Sequence, residues 1–206
     1  KKMMVGDPEK RPVLYQYTTA FPVANALAQT WNTDLMWEVG NAIYREMKEY
    51  GCTYWLAPAI NIHRNPLCGR NFEYFSEDPY LSGKMAAAYI RGIQDNGVVA
   101  CPKHFAVNSQ ETRRMAVDSV VDPRTLREIY LTAFEMAVKE GGARSIMSAY
   151  NKVNGIYANE TPHLLDAILR QEWGFDGFVV SDYGGVGGIC MSHNLTKNTV
   201  ISQALC

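Results

Sequence analysis

The 206-residue chain has little of several things, and each shortage excludes a class of protein. It has no uninterrupted apolar run of the roughly 20 residues that a membrane span needs. Neither sign of charge dominates: 20 Lys+Arg stand against 21 Asp+Glu, for a net charge of −1. That balance gives no support to nucleic-acid binding, which needs a basic excess, or to a polybasic membrane-surface role. The five cysteines, Cys52, Cys68, Cys101, Cys190 and Cys206, show no paired spacing, so neither a disulfide framework nor a CxxC metal knuckle is expected. Cys52 and Cys101 sit in apolar runs and read as small hydrophobes. The opening residues, Lys1 to Pro8, carry a basic pair without an apolar stretch behind it, unlike a secretory leader. Together with the unpaired cysteines this points to a cytoplasmic compartment. His63, His104, His163 and His193 are scattered, with no HExxH and no His/Cys cluster, so no metal is expected. GxGxxG and GxSxG are both absent, and no Lys-Ser/Thr follows the run Gly184–Gly188. With 47% hydrophobic and 11% aromatic residues, the chain is expected to be soluble and globular, with a sizeable core.

What is present is a repeat of capped helix, glycine turn and short apolar run. The first helix starts near Asn32-Thr33-Asp34, places Leu35, Met36, Val39, Ala42, Ile43 and Met47 at helical spacing, and stops at Gly51. Asp78-Pro79 and Asp122-Pro123 supply an N-cap followed by proline at the first helical position, and Thr161-Pro162 opens a fourth helix. The stops fall at Asn96-Gly97, Gly141-Gly142 and Gly174. Strand candidates follow at Tyr54–Ile60, Val98–Pro102, Arg144–Ala149 and Phe178–Ser181. They are apolar throughout rather than alternating, as in strands buried on both faces. Helix alternating with buried strand implies an α/β fold with a parallel sheet, either open and doubly wound or closed as a (β/α)8 barrel.

Unusual polar chemistry gathers just after these strands. The first is followed by Asn61-Ile62-His63-Arg64-Asn65-Pro66 and then Arg70 and Glu73. The second runs into Lys103-His104-Phe105, with Glu111, Arg113 and Arg114 beyond. The third ends in Met147-Ser148-Ala149-Tyr150-Asn151 and the fourth in Asp182-Tyr183. Taken singly, each has a plainer reading. Arg70 could pair with Glu73 in a loop, Glu111 could partner Arg113 and Arg114, Met147 and Tyr150 could be core, and Asp182 could cap a turn. Their recurrence at successive strand ends favours a catalytic face. The set suits an uncharged polyol: Arg70, Lys103, His104 and Arg114 can donate to hydroxyls, and Tyr183 or Phe105 can pack on a sugar's apolar face. A carboxylate among such cations stays ionised, as a nucleophile or an oxocarbenium stabiliser must.

Asn61-Ile-His-Arg-Asn-Pro, Gly69-Arg-Asn-Phe-Glu-Tyr-Phe-Ser-Glu-Asp-Pro79, Lys103-His104-Phe105, Met147-Ser-Ala-Tyr150-Asn and Gly174-Phe-Asp-Gly-Phe-Val-Val-Ser-Asp182 resemble glycoside hydrolase family 3 over about residues 20–185. The resemblance implies the amino-terminal (β/α)8 TIM-barrel domain of a retaining β-glycosidase, most similar to β-glucosidases and free of cofactors. About half of the barrel is visible here. Residues 1–30 form a lead-in, 31–186 the partial barrel and 187–206 an irregular tail. By resemblance Asp182 is the nucleophile. Arg70, Lys103, His104, Arg114, Met147 and Tyr150 bind the sugar, and Tyr183 stands where many members carry Trp. β-Xylosidase or α-arabinofuranosidase activity and a non-catalytic carbohydrate-binding remnant are the alternatives. The family's early Asp-Gly-Pro turn is not matched by Gly6-Asp7-Pro8, and its acid/base usually comes from a second domain. The loss of pattern after Gly185 reads as a truncation, with a frameshifted tail as one origin. Half a barrel would leave two sheet edges open, which a homodimer could complete.

Overall fold

The computed structural model describes residues 16–185. Its helices begin where short polar side chains can satisfy the free N–H groups of a first turn. Helix α1 spans Ala24–Ala28 and α2 Thr33–Glu49, where Asn32 Oδ1 accepts the N–H groups of Asp34 and Leu35, both at 3.0 Å. Helix α2 stops into Gly51, whose φ of 66° is left-handed. Asp78 caps α3, Pro79–Gln94, through the Leu81 N–H at 2.9 Å. Asp122 caps the third crossover by accepting from Arg124 and Thr125, both at 3.0 Å. That crossover is not one regular helix. It runs as α4, Pro123–Thr125, a π-type turn, Leu126–Leu131, and α5, Thr132–Lys139. At the junction the Thr132 hydroxyl donates back to the carbonyls of Arg127 and Glu128, at 3.0 and 2.8 Å, so a side chain enters the main-chain ladder there. The fourth crossover, His163–Glu172, is π-type throughout and has no side-chain cap.

Four parallel strands follow these crossovers. β1, Tyr54–Trp55, pairs with β2, Val99–Ala100, and a further bridge joins Ala59 to Lys103. The segment after β2 joins β4, Ser145–Met147: Met147 N–H donates to Pro102 O at 2.9 Å, and Phe105 N–H to Met147 O at 2.8 Å. β4 pairs in turn with β7, Phe178–Val180, in the register Ser145↔Phe178. The spatial order is therefore β1-β2-β4-β7, each strand beside its predecessor in the repeat, which establishes the α/β class. No strand precedes Phe21 among the described residues.

Three expectations need correction. The strands are shorter than the apolar runs, and the outer two are not buried on both faces: Tyr54 and Trp55 are intermediate, and Phe178 is 63% exposed. A flank strand has a hydrogen-bonded neighbour on one side only, so its apolar side chains find less cover. Cys52 is exposed, just past the end of α2, whereas Cys101 is fully buried. A small sheet of β3, Asp118–Ser119, β5, Lys152–Val153, and β6, Ile156–Tyr157, had no sequence signal.

The core lies between sheet and helices. Phe105 packs edge-on against Phe134, with centroids 5.2 Å apart, and against Trp173 at 5.9 Å. Leu27 and Ala28, in the stretch expected as lead-in, are buried in the same core. Helices α2 and α3 approach through glycine. A Cβ on Gly92 would stand 2.3 Å from the Trp37 carbonyl oxygen, and one on Gly40 2.7 Å from that of Tyr89. The expected tail, 187–206, lies outside the described residues.

Candidate active site

The C-terminal ends of the parallel strands bring the polar side chains together. Lys103 and His104 follow β2, Met147 ends β4 with Tyr150 three residues on, and Asp182 lies just past β7. The loop after β1 supplies Arg70 and Glu73, around the 3-10 turn Asn71–Glu73. The cis peptide bond between Lys103 and His104 lies at the centre of the cluster.

His104 Nε2 lies 3.5 Å from Asp182 Oδ2. His104 is 2% exposed. Burial, followed by the charges of Arg70, Lys103 and Arg114, pushes its pKa down to about 2, so the imidazole is neutral. A neutral imidazole facing a carboxylate is stabilised when its proton sits on the facing nitrogen, here Nε2. Its Nδ1 is buried without a partner among the described residues. The other oxygen of Asp182, Oδ1, accepts the Tyr183 N–H at 2.7 Å.

The cations do not stand free. Arg70 Nε donates to Glu73 Oε1 at 2.5 Å, and Lys103 Nζ lies 3.6 Å from Glu73 Oε2, so one carboxylate spans both. For Arg70, burial disfavours the charge, but the hydrogen bond and charge of Glu73 more than offset this and its pKa is raised. Arg114 pairs with Glu111 at 3.0 Å, and its guanidinium lies 5.0 Å from the Tyr150 ring centre. The Tyr150 hydroxyl donates to the Tyr183 carbonyl, and burial together with the Asp182 charge raises its pKa. The plainer pairings, Arg70 with Glu73 and Glu111 with Arg114, thus exist, and they lie within the cluster rather than away from it.

One aromatic residue, Phe105, is placed differently from the sugar-facing role. It is fully buried in the core, and its ring belongs to the Phe134–Trp173 cluster rather than to any sugar face. The backbone explains this correction: Phe105 N–H and C=O bond to β4 and its extension, which carries the ring inward. Tyr183 is 95% exposed, and only its main chain touches the cluster. Met147, at the end of β4, is 6% exposed. Sequence reasoning assigned no role to Asn61 and passed over the double engagement of Glu73. Asn61 Oδ1 accepts the His104 N–H at 2.8 Å, and its Nδ2 donates to the His104 carbonyl at 2.9 Å. The signal for Asn61 was its position directly after an apolar strand. For Glu73 it was the i,i+3 spacing from Arg70. No group of three His, Cys, Asp or Glu stands ready for a metal among the described residues.

Comparison with known proteins bears on this arrangement. The glycosyl hydrolase family 3 N-terminal domain model matches residues 9–205, further at both ends than the motifs alone reach. Beta-glucosidase A of Butyrivibrio fibrisolvens is 56% identical over 170 residues, which is 82% of this chain and 20% of the relative. An exo-alpha-(1->6)-L-arabinopyranosidase of Bifidobacterium longum is 48% identical over 166 residues, 81% of this chain and 22% of that one. Among solved structures, beta-glucosidase 3B from Thermotoga neapolitana in complex with glucose superposes with a TM-score of 0.80 at 60% identity, over 81% of this chain and 23% of the other. The chain thus spans about a fifth of the length of the curated relatives it matches. It belongs to glycosyl hydrolase family 3, within the part of that family formed by the N-terminal domain.

Proposed function

We propose that the chain carries the sugar-binding and nucleophilic part of a retaining β-glucosidase site, built on half of a (β/α)8 barrel. The observation that carries this is the Asp182 carboxylate set 3.5 Å from the neutral His104, whose ring also feels the charges of Arg70, Lys103 and Arg114. The names of the relatives support the same substrate class.

In this reading a terminal β-glucosyl unit lies over Met147. Arg70, Lys103, His104 and Arg114 hold its hydroxyls, and Tyr150 lies beside the nucleophile. Asp182 attacks the anomeric carbon and forms a glycosyl ester as the glycosidic C–O bond breaks. Water then cleaves the ester and returns the carboxylate. The departing oxygen needs a proton from an acid, unless the leaving group is stable as an anion. Neither Glu73 nor Glu111 suits that role, since each is engaged with arginine. The acid belongs to a part of the site outside the described residues.

Cationic and neutral donors around an open carboxylate would also hold a pentose. The likeness to the arabinopyranosidase favours this as the second reading for the glycone. The exposed Phe178 on the flank strand calls for cover, by a second copy of the chain or by further chain of the kind its relatives carry. Light scattering on the 206-residue chain separates the two: a dimer supports the first and a monomer the second.

The decisive test is intact mass after incubation with a 2-deoxy-2-fluoro-β-glucoside bearing an activated leaving group, followed by peptide mapping. A single adduct on Asp182 is expected. An adduct elsewhere, or none, would overturn the assignment of the nucleophile in this chain. The arabinopyranoside counterpart, reacting faster, would shift the glycone.

A further inference from the structure

Asn61 makes its two bonds to one residue far away in sequence, and both engage the main chain of His104. The geometry continues a ladder. Below it, Ile60 N–H donates to Lys103 O at 2.7 Å and Lys103 N–H donates to Pro58 O at 3.0 Å. At His104 the side-chain amide of Asn61 takes the place that the next peptide would occupy. Asn61 is itself 2% exposed, so these bonds do not compete with water.

The His104 ring gives this clamp its consequence. An imidazole at a reactive site is usually oriented through the nitrogen that faces away from the chemistry. Here that nitrogen, Nδ1, has no partner among the described residues. The direction of Nε2 is therefore set by the backbone that carries the ring and by the packing around it. Both polar main-chain groups of His104 end on Asn61.

We propose that Asn61 is a positioning residue for the reaction at Asp182: it holds the His104 main chain, and through it aims Nε2 at the carboxylate. The inference rests on the reading of Asp182 as the nucleophile. It assigns Asn61 no contact with sugar. The charged groups facing His104 are Asp182, Arg70, Lys103 and Arg114.

Two substitutions separate positioning from simple strand-end packing. Asn61→Ala removes both bonds. Asn61→Asp keeps the shape and one acceptor, but sets a second carboxylate oxygen against the His104 carbonyl; protonating it restores a donor. A buried carboxyl set against a carbonyl oxygen is favoured in its protonated form, so the aspartate variant should recover on acidification. Two readouts are needed, each compared with the parent at the same pH: the rate of Asp182 labelling by the fluoroglucoside, and the long-range proton–nitrogen spectrum of the His104 ring. We expect labelling to be slower by about a hundredfold in both variants near neutral pH, as for a reacting group displaced by about 1 Å. Near pH 5 the aspartate variant should return to within a few-fold of the parent, and the alanine variant should not. The parent ring should show a neutral Nε2–H form, and its signals should move in both variants.

Labelling at the parental rate in both variants, with unmoved His104 signals, would overturn the proposal. So would a loss in the aspartate variant that is the same at every pH. If urea titration shows that the alanine variant is unfolded, the pH course of the aspartate variant decides. If the parent itself is not labelled, the nucleophile reading fails, and the His104 spectrum still decides whether Asn61 holds the ring.

Discussion

β4 buries all three of its residues, while its hydrogen-bonded neighbour β7 leaves Phe178 63% exposed and Val179 and Val180 half-buried. Both are three-residue strands in the same parallel ladder. β1, on the other flank, has two intermediate residues, and Ala100 of inner β2 is fully buried. A parallel strand owes its burial to what lies on its far side as much as to its own composition. The site repeats the contrast at closer range: His104, above an inner strand, is sealed, whereas Asp182, above a flank, is 15% exposed. That suits the proposed part of Asp182, since a nucleophile must meet substrate.

The largest effect should come from the flank. Asp182→Asn is expected to slow labelling and turnover of activated glucosides by about 10⁵-fold or more, as loss of a covalent nucleophile does. Retained turnover would break the link between exposure and reactivity. In the middle of the sheet, Phe105→Ala should cost about 3–5 kcal/mol in urea denaturation, because Phe134 and Trp173 cannot close the space left between them. A loss below about 1 kcal/mol would show that the inner layer is loosely packed.

His104 sharpens the contrast through pH. Its folded pKa, about 2, lies far below the ordinary 6.5, so on acidification the unfolded chain takes up a proton that the folded chain refuses. Stability from this group is complete above about pH 6.5 and is lost as pH falls toward 2, at up to about 1.4 kcal/mol per pH unit. Urea midpoints from pH 7 down to about 4.5 should therefore fall less steeply in His104→Gln than in the parent. Equal slopes would mean that water reaches the ring. The smallest effect belongs to Phe178→Ala, within about 0.5 kcal/mol in a monomer. A larger loss that grows with protein concentration would show that this face is covered by a second copy.

Much of the architecture was legible because its signals are local. Asn32, Asp78 and Asp122 cap helices with their own side chains, and Gly51, Gly97, Gly142 and Gly174 carry the positive φ that ends them. The mini-sheet was not legible. Asp118–Ser119 and Lys152–Val153 are two-residue pieces with no apolar period, and they pair only because the chain brings them together. Arg70, Lys103, His104, Met147, Tyr150 and Asp182 could be picked out as unusual side chains after apolar runs. Phe105, directly after His104, could not be separated from the sugar-facing set without knowing which way its ring points.

The sequence by itself determined where helices start and stop, that apolar runs alternate with them, and which side chains stand at the strand ends. These depend on neighbours a few residues apart, where capping, positive φ and periodicity act. Only the tertiary structure decided which strands are inner and which are flanks, that Glu73 spans Arg70 and Lys103, and that Asn61 clasps His104 across 43 residues. A hydrogen bond forms within about 3 Å, whatever the length of chain between its partners.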